Sequence, residues 1–259
     1  MSVPKYKGIL ICSDFDGTLS FNNHISEENC RAIRYFQENG GLFTIVSGRY
    51  PESFKSYKDQ IVPNTFVCGM NGTIIEDLQT HERIYDAFME KDVFLFVKNN
   101  IEKLPEVSIV EFQTANGTVV FEKEGERFEL SDYNMSEKIY KVLFIVSDVA
   151  SDLVLKRLKY LAEDMYTVSR SWLNGIEIQK KNEDKGHAVQ ILRKYLGDRI
   201  HRIIGVGDYE NDLPLLKASD TAVAVENAIF EVKAEADYIV SDCQKDSLAQ
   251  VIYKYCEQK

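Results

Sequence analysis

A chain of 259 residues, 44% hydrophobic and 28% charged, is long enough to bury a substantial core and ordinary for a globular protein. Its formal net charge of -10 disfavours nucleic acid and anionic membranes as partners, and it repels anionic substrates unless a local positive centre receives them. The five cysteines form no C-x-x-C pair, and the polar start and short apolar runs give neither a signal peptide nor a membrane span, so a reducing cytoplasm is the expected location.

The apolar run Gly8 to Ser13 reads as a strand buried on both faces of a parallel sheet. Ser26 is placed to cap a helix running to about Asn39, with Ala32, Ile33 and Phe36 at helical spacing and Gly40-Gly41 beyond its end. Leu42 to Val46 is a second buried strand and Phe66 to Cys68 a third, with Asn71-Gly72 as a hairpin turn before Ile74-Ile75. From about Ile84 to Lys181 the pattern changes. A helix over Asp92–Lys103 precedes alternating strands over Val107–Phe112 and Thr118–Glu122, and another strand comes after them over Lys141–Val146. An amphipathic helix over Ser151–Glu163 then leads to a strand pair over Thr167–Ser171 and Gly175–Gln179. This block reads as α+β with an antiparallel sheet. Strand-helix alternation resumes with a helix after Lys185, strands over Arg202–Val206 and Ala222–Val225, and a C-terminal helix over Asp246–Tyr255. The expected fold class is α/β: a Rossmann-like parallel-sheet core in residues 1–83 and 182–259, with an α+β domain inserted over residues 84–181.

Three of the expected strands end in polar clusters: Asp14-Phe15-Asp16-Gly17-Thr18, Ser47-Gly48-Arg49, and Gly207-Asp208-Tyr209-Glu210-Asn211-Asp212. Ligands of open α/β sheets bind beyond the carboxyl ends of the strands, so these distant segments are expected to meet. Gathering Asp14, Asp16, Asp208 and Asp212 is unfavourable unless a cation joins them, and a hard divalent ion with oxygen ligands, Mg2+ above all, suits the set. Each aspartate alone is more often a turn or helix-cap residue; three such motifs at three strand ends weigh against that reading. Arg49 and Lys185 are the positive groups available to a phosphate ester. The scattered histidines have no metal-ligand spacing, and Gly205-Val206-Gly207 lacks the third glycine of a dinucleotide loop. Phe112, Tyr133 and Trp172 of the inserted block are expected in its own core rather than against substrate.

Asp14-x-Asp16-Gly17-Thr18-Leu19 resembles the first signature of the haloacid-dehalogenase-like hydrolases. Ser47, Lys185 with Gly186, and Gly207-Asp208-x-x-Asn211-Asp212 resemble their second, third and fourth motifs, in the family order. The inserted block resembles the type IIB α/β cap of the Cof-type subgroup. The resemblance implies a phosphatase for small phosphate monoesters, such as sugar phosphates or phosphorylated cofactors. It implies Asp14 as nucleophile and Asp16 as acid and then base, with the carboxyl of Asp16 crowded toward its protonated form. Magnesium would be held by Asp14, the backbone carbonyl of Asp16, Asp208 and Asp212. Thr18, Ser47, Gly48, Lys185 and Asn211 would hold the phosphoryl group. Arg49 and Asn71 would face the substrate. The chain is expected as a monomer or weak homo-oligomer. The alternatives are a sugar phosphomutase with the same nucleophile and a non-catalytic phosphate-ligand-binding protein.

Overall fold

Strand β1 (Ile9–Ser13) is buried along its whole length, as an unbroken apolar run demands. Helix α1 (Glu27–Glu38) starts where the Ser26 hydroxyl accepts the Asn29 N–H at 3.1 Å, with Glu27 and Glu28 in its positive first turn. It buries Cys30, Ala32, Ile33 and Phe36 and stops at Gly40, whose φ of +89° suits glycine. The chain then forms β2 (Leu42–Ile45), β3 (Val67–Gly69), β4 (Ile74–Glu76) and β5 (Arg83–Asp86). Next come α2 (Asp92–Asn100), β6 (Val107–Thr114), β7 (Gly117–Glu124), β8 (Arg127–Phe128) and β9 (Ile139–Val146). After these are α3 (Ser151–Ala162), β10 (Tyr166–Trp172), β11 (Gly175–Lys180) and α4 (Lys185–Leu196). The chain ends with β12 (Arg202–Gly207), α5 (Leu213–Ala218), β13 (Thr221–Val225), α6 (Phe230–Glu235), β14 (Tyr238–Val240) and α7 (Ser247–Gln250). This computed structural model describes residues 4–125, 127–130 and 137–256; Tyr133 lies outside them.

The chain divides into two compact units, one comprising residues up to Asp86 and from Asp184 onward, the other Ala87–Glu183. The first is built on a five-stranded parallel sheet in the order β14-β13-β12-β1-β2. The chain leaves β1 toward β2 on one side and returns on the other through β12. That reversal is the topological switch point where open α/β sheets leave a crevice. Strand register makes the ends flush, since Ser13 pairs with both Ile45 and Val206. A bridge from Val46 to Cys68 joins a small antiparallel sheet, β3-β4-β5, to the end of β2. Asn71-Gly72 is not a two-residue turn. Gly69 pairs with Ile74 across a four-residue connection in which Met70, Asn71 and Gly72 all have positive φ.

The second unit is a six-stranded sheet in the order β10-β11-β9-β6-β7-β8, antiparallel throughout. Its apolar cluster joins Val93, Phe94 and Val97 of α2 and Val154 and Leu158 of α3 to Phe112, Phe144, Ile176 and Ile178 of the strands. Phe112 packs there as expected, whereas Trp172 is 42% exposed. The C-terminal helix changes to a π turn over Val251–Tyr255. No helix among the described residues is long and apolar enough to cross a membrane.

Candidate active site

The loops after β1, β2 and β12, the β3–β4 connection and the start of α4 converge beyond the flush strand ends. Asp14 comes directly after β1 and its N–H donates to the Val206 carbonyl at 2.9 Å, which ties the first loop to the strand carrying the fourth motif. The Thr18 hydroxyl donates to Asp208 Oδ1 at 2.8 Å and crosses the same gap. Gly17 is required between them: its φ is +80°, and a Cβ there would lie 2.6 Å from Asp208 Oδ2.

Lys185 is the first residue of α4, after the Asp184 carboxylate caps the helix by accepting the His187 N–H. Its ammonium is buried and donates to Asp14 Oδ1 at 2.6 Å and to Asp212 Oδ1 at 2.5 Å. Asp212 Oδ2 accepts the N–H groups of Asp208 and Tyr209 at 2.9 and 3.1 Å, so both of its oxygens are engaged. Asp14, Asp208 and Asp212 present carboxylate oxygens that all lie within 4.8 Å of one another.

The electrostatics arise from burying three carboxylates around one ammonium. Burial above all pushes the Asp14 carboxyl well above the usual range; Lys185 opposes this, and the charges of Asp212 and Asp208 reinforce it. Asp208 is pushed up to about 7 by burial and then by Asp212. For Lys185, burial works against the charge, but Asp14 and Asp212 more than compensate and hold its proton more tightly than an ordinary lysine does.

Asp14 Oδ2 and Asp208 Oδ2 accept no hydrogen bond among the described residues. Two buried carboxylates close to each other, each with one oxygen that accepts no hydrogen bond among the described residues, fit a hard divalent cation, whereas Asp212 is already committed to Lys185 and to backbone amides. The carboxylate of Asp16 is not part of this group. It is half exposed, and Arg49 grips it through Nε at 2.7 Å and Nη2 at 2.5 Å.

Ser47 is buried; its N–H donates to the Cys68 carbonyl and its hydroxyl accepts the Arg49 N–H, which fixes the loop carrying Gly48. Asn71 donates its N–H to the Ser47 carbonyl and accepts from the Asn211 amide at 3.3 Å. These bonds bring Ser47, Asn71 and Asn211 together. Several supporting groups carried no signal in the sequence. Asn23 and Tyr57 contact Arg49, and Ser247 donates to the Thr18 carbonyl. Asn227, in a stretch of family-like sequence, donates to the Gly17 carbonyl at 2.7 Å. His187 packs edge-on against Tyr85.

The haloacid dehalogenase-like hydrolase family pattern matches residues 11–252. Phosphatase YwpJ of Bacillus subtilis is 26% identical over 94% of this chain and 98% of its own. Among solved structures, a haloacid dehalogenase-like hydrolase from Bacteroides thetaiotaomicron has a TM-score of 0.74 at 24% identity, covering 94% of this chain and 97% of its own. A subclass IIB sugar phosphatase shares the fold at a TM-score of 0.77 and 17% identity, covering 96% of this chain and 99% of its own. The match spans both units and all the loops that build the acidic cluster: the chain belongs to the haloacid dehalogenase-like hydrolases.

Proposed function

We propose that the protein is a Mg2+-dependent phosphatase for small phosphate monoesters, with Asp14 as nucleophile. One observation carries this reading: a buried ammonium, Lys185, pairs with Asp14 Oδ1, Asp14 Oδ2 accepts no hydrogen bond among the described residues, and a carboxylate oxygen of Asp208 lies within 4.8 Å of one of Asp14. A carboxylate nucleophile presents one oxygen to phosphorus while a cation holds the other, and the anion it attacks needs positive charge beside it. Asp14, Asp208 and the backbone carbonyl of Asp16 would hold the magnesium, with Asp212 as its support. Bound there, the ion offsets carboxylate charge and stabilises charge on the phosphoryl oxygens.

In the first half of the reaction, a carboxylate oxygen of Asp14 bonds to phosphorus. The ester P–O bond breaks, and Asp16 gives its proton to the leaving oxygen. In the second half, a water oxygen attacks phosphorus, Asp16 takes the water proton, and the bond to Asp14 breaks to release phosphate. Lys185, the Ser47 hydroxyl, the Asn211 amide, the Thr18 backbone N–H and the backbone around Gly48 are the donors for the phosphoryl oxygens. Arg49 and Asn71 stand beside the leaving group. The Ala87–Glu183 unit is assigned as a cap that selects the substrate.

A small phosphorylated metabolite is the proposed partner, either a sugar phosphate or a phosphorylated cofactor. Names among the relatives include a sugar phosphatase and a 5-amino-6-(5-phospho-D-ribitylamino)uracil phosphatase of Bacillus subtilis. Phosphate release from an ester panel, with magnesium and with excess chelator, tests the reading in the wild type and Asp14→Asn. Magnesium-dependent release that is lost in Asp14→Asn supports it. Release that survives in Asp14→Asn rejects the nucleophile. Isomerisation of a hexose phosphate without release favours a mutase, and binding without turnover favours a ligand-binding protein.

A further inference from the structure

We infer that Asn227 is a positioning residue, whose side chain sets the direction in which the loop after β1 offers the Thr18 N–H; this rests on the phosphatase reading. Asn227 stands just past β13, and both ends of its amide are used. Nδ2 donates to the Gly17 carbonyl at 2.7 Å, and Oδ1 accepts the Cys243 N–H at 2.9 Å. A carboxylate could accept from Cys243 but could not donate to Gly17, so the pair of bonds asks for an amide. Two residues on, the Ile229 N–H donates to the Asp208 carbonyl at 3.0 Å. One short segment after β13 therefore holds a carbonyl of the first motif and a carbonyl of the fourth, and it is itself tied to the loop after β14.

The consequence comes from the planarity of the peptide. The Gly17–Thr18 bond is trans, so the Thr18 N–H points opposite to the Gly17 carbonyl. Asn227 is exposed and Thr18 is fully buried, so the carbonyl is drawn outward and the N–H is turned inward. The Gly17, Leu19 and Ser20 N–H groups donate to carbonyls of their own loop, whereas the Thr18 N–H has no acceptor among the described residues. A buried N–H without an acceptor is costly unless a ligand or water takes it. In the proposed reaction that acceptor is a phosphoryl oxygen. Because Asn227 is exposed, water can replace it on the Gly17 carbonyl; the bond contributes little to folding, and what it fixes is direction. Ser247 is the natural comparison. It is buried and donates to the next carbonyl, that of Thr18, at 2.9 Å, but the N–H across that peptide, of Leu19, already donates to the Phe15 carbonyl at 3.1 Å.

The test compares wild type, Asn227→Ala, Asn227→Gln and Ser247→Ala as full chains with magnesium. The probes are p-nitrophenyl phosphate, or the best ester of the panel, and orthovanadate, which takes on the five-coordinate geometry of phosphoryl transfer. Three quantities are read: kcat with KM, the inhibition constant of orthovanadate, and the urea midpoint without substrate. In Asn227→Ala, kcat is expected to fall on the order of tenfold while KM stays within about threefold, the pattern of a donor aimed at the transition state. Orthovanadate inhibition should weaken by a similar factor, and the urea midpoint should barely move. Asn227→Gln, which keeps the amide at an exposed position with room for it, recovers part of kcat. Ser247→Ala shows the reverse balance, with a lower midpoint and a smaller loss of kcat. Asn227→Asp keeps the Cys243 contact without the donor, and stands in if Asn227→Ala does not fold. Unchanged kcat and orthovanadate inhibition in Asn227→Ala would overturn the inference, as would a raised KM at unchanged kcat, which makes Asn227 a substrate contact. A loss of kcat that comes with a fallen midpoint, as large in Ser247→Ala as in Asn227→Ala, would make the bond merely structural. A wild type that releases phosphate from nothing rejects the phosphatase reading itself, and with it this role.

Discussion

Lys185 Nζ and Asp14 Oδ1 lie 2.6 Å apart, with both side chains almost completely buried. An exposed ion pair at this distance would contribute little. This one lies where neither charge has water to turn to, so removing one partner strands the other. In Lys185→Met the carboxylates of Asp14 and Asp212 lose their shared cation. The expected result is a loss of roughly 3–5 kcal/mol in denaturant unfolding without metal, the range for a broken buried pair. Added magnesium should recover part of that stability, because it supplies the missing charge, but phosphate release should not return. Unfolding midpoints with and without magnesium check this; a Lys185→Met protein as stable as wild type without metal would contradict it.

Asp208 and Asp212 sit in one loop yet are expected to respond in opposite ways. Asp212 accepts from Lys185 and from two backbone amides, so Asp212→Asn loses an ion pair and places an amide NH2 against donors. It should destabilise the fold by about 2–4 kcal/mol, in line with broken buried charged networks. The Asp208 carboxylate is crowded by its neighbours and, among the described residues, accepts a hydrogen bond only from Thr18. Asp208→Asn relieves that crowding and keeps an acceptor for Thr18. The metal-free protein should then be as stable as wild type or more so, while activity at ordinary magnesium concentrations is lost. Paired unfolding and phosphate-release measurements separate the two cases.

The first, second and fourth motifs were legible because each comes after an apolar run, and buried parallel strands deliver their succeeding loops to the same edge of the sheet, whereas Lys185 stood out through the family resemblance. Asp14 after Ile9–Ser13 and Asp208 after Arg202–Gly207 are the plain examples. Partnerships between distant side chains were not legible. Nothing about Arg49 in the sequence marks Asp16, Asn23 and Tyr57 as its contacts, because they depend on how far a flexible guanidinium reaches across a turn. Short strands also escaped. Tyr238–Val240 and Arg83–Asp86 are too brief to show a period, and they exist because neighbours offer them a ladder. The turn at Asn71-Gly72 looked like a tight hairpin by composition. The chain uses a longer connection that turns the Asn71 side chain toward Asn211.

Acidity should shift the stability of the metal-free protein in a defined sense. The Asp208 carboxyl is raised from its ordinary value near 3.8 to about 7 in the fold, by burial and then by Asp212. Between those values the folded protein keeps a proton that the unfolded chain has released. Stability therefore falls as pH rises from about 4 to about 7 and levels off above, and the raised Asp14 acts in the same direction. Magnesium favours the ionised carboxylates and should flatten the decline, and Asp208→Asn should reduce it. Urea midpoints at pH 5 and pH 8, with chelator and with magnesium, measure this. A metal-free protein that gains stability over that interval would show that other groups outweigh Asp208.

Gly17 links backbone conformation to the acidic cluster. Its φ of +80° is costly for any other residue, and a Cβ would sit 2.6 Å from Asp208 Oδ2, the oxygen left unclaimed by Thr18. The Asn227 amide on the Gly17 carbonyl and the Ser20 N–H on the Phe15 carbonyl tie this loop down, so it has little freedom to move aside. Gly17→Ala should therefore cost about 1–2 kcal/mol of stability from the backbone alone, as strained left-handed positions do. It should also weaken magnesium activation more than that loss explains, because the methyl group displaces the carboxylate oxygen that the metal needs. The check is the magnesium concentration giving half-maximal phosphate release, compared between wild type and Gly17→Ala at a temperature where both are folded. A variant with reduced stability but unchanged magnesium dependence would place the cation away from Asp208 Oδ2.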